Sequence, residues 1–206
     1  MARDMGLLPK GPVGPPSDWR SFRRGLALHE CGHAVAGVLT GREVVEVVAQ
    51  DRLGYFCEMK DVEAAMKPDE DWRYSFLAAL GPKGLVREIV SVFAGPAAEL
   101  RHDATHVLLG MARDQLVADD MAAFAGTAGI GRPSDLIREG WAEACKMMLD
   151  RAVWASVVEA ANELEAAGRI PGHRISAIVE ARLPDGWAWS RPFAQASSPA
   201  TEQSRS

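Results

Sequence analysis

Several features that would fix the class of a chain at once are missing here. Cysteine is sparse: Cys31, Cys57 and Cys145 are odd in number and never closely spaced. A secreted disulfide framework has an even, clustered set, so these read as three reduced and mostly buried thiols. No run approaches the roughly 18 apolar residues needed to span a bilayer. The opening MARDMGLLPKGPVGPP has no basic segment followed by a long apolar one, so it does not read as a signal peptide. Together these absences predict a cytoplasmic protein with no membrane segment. Positive charge is scarce too, with 23 Lys and Arg against 28 Asp and Glu, a net charge of -5 and no basic stripe. Nucleic-acid binding needs concentrated cations for phosphate contact, so that class is disfavoured.

What remains is ordinary for a globular protein: 206 residues, 48% hydrophobic and 25% charged, enough for one good-sized core. Residues 1–16 hold four Pro and three Gly and read as an extended lead-in. Residues 17–184 read as one domain. Residues 185–206 are rich in Ser, Pro, Gln and Ala and read as a disordered tail. No internal repeat is visible.

Within the domain the pattern is mainly helical. Ser17 is a candidate N-cap for a helix running to about Leu39, with Gly41 as its stop. The β-branched stretch Glu43–Ala49 and the aromatic stretch Leu53–Met59 read as a β-hairpin turning at Gln50-Asp51-Arg52. Trp72–Leu80 is a candidate short helix. Gly84 to about Arg101 carries a helical stripe of Leu85, Ile89, Val92 and Phe93, and Pro96 inside it should kink the helix or mark a join. Met111 to Phe124 is helical in pattern, and a Gly-rich loop follows over Ala125–Pro133. Ser134 then caps an Ala-rich stretch to Ala167 that should break into two helices, with Gly168 ending it. His173 to Arg182 forms the last helix. The expected architecture is therefore mainly α, with a small hairpin or short sheet beside the first helix.

That first helix contains the motif that carries chemistry. His29-Glu30-Cys31-Gly32-His33 is an H-E-x-x-H sequence. Four residues is about one turn, so both imidazoles leave the same face and can hold one metal ion, with Glu30 about 100° around the axis beside it. Zinc suits imidazole ligands and lowers the pKa of a water it binds to near 7, and Glu30 could take that water's proton as general base. A chance H-E-x-x-H in a chain of this composition is a roughly one per cent event. The bland alternative, polar residues on a solvated face, conflicts with Ala27, Leu28, Cys31, Ala34, Val35, Ala36 and Val38 around them. Those neighbours imply a largely buried helix, where polar groups need a shared partner. Cys31 reads as a small buried residue rather than a ligand.

A catalytic zinc needs a third protein ligand and an open position. The extended form with a third histidine fails, because Ala36 and Leu39 stand where it needs Gly and His. The candidates are Asp114, Asp119, Asp120, Glu99, His102 and His106. Trp141 and Trp154 read as core, and His173 as a surface residue.

In this pattern the chain resembles the peptidase domain of FtsH-type ATP-dependent proteases and their small stand-alone relatives. HECGHAV is similar to that family's HEAGHA zinc motif, and the hairpin containing Leu53-Gly54-Tyr55 to its strand pair. FAGPAAE resembles its Gly-Arg-x-Ala-Glu helix, with Pro96 in place of Arg. GMARDQLVADDMA resembles its G-A-x-x-D-x-x-x-A-x-x-x-A segment, and ELEAAGRIPGHRISAIV its C-terminal helical hairpin. The likeness covers about residues 25–182. It implies a zinc endopeptidase with His29, His33 and Asp114 as ligands and Glu30 as acid and base. Glu99 would support a ligand. Flexible or unfolded polypeptide would be bound by strand addition to the hairpin. Met111 and Arg113 depart from the third-ligand segment and keep Asp119 and Asp120 open. The chain has no P-loop pattern, so a partner ATPase is a further expectation. A latent or non-hydrolytic zinc-containing binding module of the same fold is the rival reading.

Overall fold

The computed structural model describes residues 19–50, 54–59, 72–103, 108–184 and 187. Among them are six helices and three short strands: α1 Trp19–Thr40, β1 Val44–Gln50, β2 Gly54–Met59, α2 Trp72–His102, α3 Leu108–Thr127, α4 Pro133–Leu149, α5 Arg151–Ala167, β3 Arg169–Pro171 and α6 Gly172–Arg182. The fold is mainly helical with a small antiparallel sheet, as the sequence pattern predicts. The candidate cap Ser17, the turn at 51–53, His106, the lead-in 1–16 and most of the tail lie outside the described residues.

Helix α1 runs through the middle of the molecule. Ala27, Leu28, Cys31, Ala34, Val35 and Ala36 are all buried, which accounts for the many small side chains: neighbours pack on it from several sides. It stops where Gly41 takes φ 86, a left-handed conformation that glycine adopts without a Cβ penalty. The hairpin follows at once, with β1 and β2 antiparallel and Val47 opposite Cys57. The sheet order is β2-β1-β3, so β2 is an edge strand and β1 is covered on both sides. Strand β3 has no counterpart in the sequence reading. Three residues after the αL turn at Gly168 give no period to detect, and pairing with β1 through Val47 and Ile170 makes them a strand.

Helix α2 packs along α1. Its one interior break in helical geometry is Gly81, with φ 61, so the two expected helices meet there. Pro96 lies inside α2 with helical backbone angles, so the helix continues through it and no join falls there. A proline clashes with the N–H and Cβ of the residue before it. That residue is Gly95, which has no Cβ, so that part of the clash is absent, although the bond to the Val92 carbonyl is still lost.

The Ala-rich stretch does divide in two, but its cap is not Ser134. Pro133 occupies the first helical position, where its missing N–H costs nothing, and Arg132 is the flanking residue. The break is at Asp150, which ends α4 and accepts hydrogen bonds from the Ala152 and Val153 amides to begin α5. The core between α2 and α4 centres on Phe93 and Trp141, in edge-to-face contact with ring centroids 5.6 Å apart. Trp154 is only half-buried, with the Arg101 guanidinium 4.4 Å from its ring centroid. His173 is exposed on α6.

Candidate metal centre

Three elements meet at one point. Helix α1 supplies His29 and His33, α3 supplies Asp114, and α2 forms the wall behind them. His29 Nε2 lies 3.1 Å from His33 Nε2 and 3.0 Å from Asp114 Oδ2, and His33 Nε2 lies 3.4 Å from the same oxygen. Among the described residues this is the group of side chains arranged to hold a metal ion, with its ligand atoms all within 4.8 Å of one another.

The hydrogen bonds on the far side of each ring decide what these atoms carry. His33 Nδ1 is 2.8 Å from the Ser91 backbone oxygen. A carbonyl only accepts, so the Nδ1–H donates and Nε2 is left with its lone pair. His29 Nδ1–H donates to Glu99 Oε2 at 3.0 Å, so its Nε2 faces inward too and offers a lone pair once the ring is deprotonated. Asp114 Oδ2 is buried, and the two imidazole Nε2 atoms are its polar neighbours. His29 Nε2, His33 Nε2 and the Asp114 oxygen therefore converge on one point, which must hold either a proton, carried by His29, or a cation. Without either the arrangement is repulsive, and two imidazoles with one carboxylate suit a first-row divalent ion.

The electrostatics agree. Burial disfavours the charged form of His29, yet Asp114 and Glu99 on its two sides push its pKa up to about 10. Burial would raise the Asp114 carboxyl, but the flanking imidazoles hold it well below the usual carboxylate range. Without a metal, a shared proton relieves the clash of acceptors. Glu30 stands next to the group and behaves differently: burial raises its carboxyl, with the His33 and His29 charges and the Cys57 amide of β2 pulling it back.

Of the other candidates, Glu99 is buried at 2% exposure and touches the ring atom of His29 that faces away from the shared centre. His102 is exposed at the end of α2. Asp119 accepts from the Gln115 side-chain amide at 3.0 Å, and neither it nor Asp120 joins the group. Cys31 is buried away from it.

Two contributors were not legible as such. The Ser91 carbonyl fixes the His33 tautomer, and no side-chain pattern announces a backbone acceptor. Gly95 lets α2 approach both rings: a Cβ there would overlap the His33 imidazole and lie 2.8 Å from His29 Cδ2. Gly32 does the same from α1, where a Cβ would lie 2.7 Å from the Ala94 carbonyl oxygen and 2.9 Å from the Ala98 methyl. The signal for Gly95 was its place four residues before Glu99, on the same face of α2.

No protein-family model and no curated protein sequence matches this chain.

Proposed function

We propose that this protein is a zinc-dependent endopeptidase of the FtsH peptidase type, acting on flexible or locally unfolded polypeptide. The observation that carries the reading is the convergence of His29 Nε2, His33 Nε2 and an Asp114 oxygen beside Glu30. His29, His33 and Asp114 would hold the ion. When bound there, zinc supplies Lewis acidity for a peptide carbonyl and brings the pKa of water near 7.

The chain's own residues supply the rest. Glu99 and Ser91 keep both rings in one tautomer and orientation, so the ligand atoms need no rearrangement. Glu30 takes the proton of the attacking water on its carboxylate and passes it to the departing amine. The partial burial of Glu30 helps in this, because a raised carboxyl is a stronger base once ionised. Edge strand β2, whose Cys57 amide reaches Glu30, is a candidate for pairing with an extended peptide beside the base. Strand pairing reads backbone rather than side chains, which suits unfolded substrates. No helix among the described residues is long and apolar enough to cross a membrane, and we assign the protein to the cytoplasm on its cysteine pattern.

Casein cleavage by the zinc-loaded Glu30→Gln variant tests the reading. The expected outcome is a loss of turnover of at least about a hundredfold with zinc still bound. Full turnover in that variant would remove Glu30 from the mechanism. Zinc in the wild type with no cleavage would make the protein a binding module or a latent peptidase that waits for a partner.

A further inference from the structure

The register of the sheet fixes which backbone groups of β2 face outward. The Ala49 N–H donates to the Gly168 carbonyl at 2.9 Å, so the backbone of Ala49 faces β3. Backbone groups alternate sides along a strand, so those of Val48 and Gln50 face β2, where Phe56 and Gly54 stand opposite them. Tyr55 and Cys57 occupy the alternate positions of β2, and Met59 continues their set. These three turn both N–H and C=O to the outer side, where no further strand lies among the described residues.

The middle position of that edge is already engaged. The Cys57 N–H donates to the Glu30 carboxylate. Packing brings the two together. The side chains of Cys57 and Met59 lie on the α1 side of the sheet, and a Cβ on Gly37 would come within 3.1 Å of Met59 Sδ. Glu30 precedes Gly37 by about two turns, so both are on the face of α1 that β2 covers.

One donor therefore has two claimants. An extended peptide added to this edge pairs with the N–H and C=O of alternate residues, here Tyr55, Cys57 and Met59. Its carbonyl at the middle position needs the hydrogen that Glu30 holds, and a backbone amide has only one to give. We propose that Glu30 is latched to the Cys57 amide in the peptide-free protein and is released to act as base when a peptide carbonyl takes that amide. This rests on the peptidase reading and adds a condition to it. Only a chain extended along β2 opens the latch, so folded segments and very short peptides leave Glu30 held.

Amide exchange at Cys57, read by NMR on the zinc-loaded full chain, tests the latch without turnover. The Cys57 N–H should exchange on the order of tenfold faster in Glu30→Ala than in the wild type. Peptide binding tests the competition. The probe is a fluorescein-labelled Thr-Val peptide whose central bond is a methyleneamine and resists cleavage, followed by anisotropy. It is titrated into wild type, Glu30→Ala, Cys57→Pro and the double variant. Proline at this position removes only an outward N–H and no bond to β1, and Cys57→Val controls for the lost thiol. Glu30→Ala should bind the probe about tenfold more tightly than the wild type, and the double variant no more tightly than Cys57→Pro. Unchanged exchange at Cys57 in Glu30→Ala, an equal gain in both backgrounds, or no binding by any of the proteins overturns the proposal. If Cys57→Pro does not fold, the exchange rates and the Glu30→Ala affinity decide. The expected exchange and binding in a wild type that leaves casein intact would uphold the latch and remove the peptidase reading.

Discussion

The chemistry of the centre is settled by which nitrogen of each ring carries the hydrogen. Glu99 and the Ser91 carbonyl each accept from an Nδ1–H, so it is both Nε2 atoms that face Asp114. A metal and a proton then compete for one place. In the metal-free protein His29 stays protonated up to about pH 10, because Asp114 and Glu99 outweigh the cost of burying its charge. Metal binding must displace that proton, so affinity should strengthen as pH rises and level off near pH 10. Below that point the expected gain is about tenfold per pH unit, and zinc addition should release about one proton per chain. Titration calorimetry in buffers of different ionisation enthalpy measures this release; binding with no proton release would mean that His29 is neutral before the metal arrives.

Among the elements, α2 decides whether the two imidazoles can be where they are. The H-E-x-x-H spacing made His29, Glu30 and His33 legible, because four residues on a helix is a local rule needing no tertiary knowledge. Glu99 and Asp114 were harder, since each comes from another helix and sequence distance hides spatial distance. The hairpin showed itself through β-branched and aromatic residues, whereas β3 is a strand only by virtue of its partner β1. Pro96 gave no join for a related reason: its effect on a helix depends in part on the residue before it, and Gly95 has no Cβ to meet the ring. Gly95 also carries a prediction. A methyl group there overlaps His33, so Gly95→Ala should lower zinc affinity at least tenfold while circular dichroism shows the helices retained. Unchanged affinity would mean that α2 can move away without disturbing the rings. At the α4–α5 joint, Asp150→Ala should cost about 1 kcal/mol at neutral pH by chemical denaturation, as lost N-caps do. Burial works to raise the Asp150 carboxyl, but bonds from the Val153 and Ala152 amides hold it below its ordinary value near 3.8. Its contribution is therefore full above that value and is lost as pH falls through the lower folded one, so the mutant and wild type should converge in acid.

At the scale of the whole molecule, one helix is both the centre of the core and the carrier of the reactive groups. The small residues that let α2 pack closely on α1 also bring Ser91, Gly95 and Glu99 to the imidazoles. Folding and site assembly are in this sense one event, and an ion held by His29, His33 and Asp114 would tie α1 to α3. Metal content of the purified wild type, beside His33→Ala and Asp114→Ala, tests this most directly. About one zinc per chain in the wild type, lost or weakened in both variants, is the expected result. Undiminished zinc in the Asp114 variant would move the third ligand elsewhere, and no metal in any preparation after reconstitution would contradict a metal centre altogether.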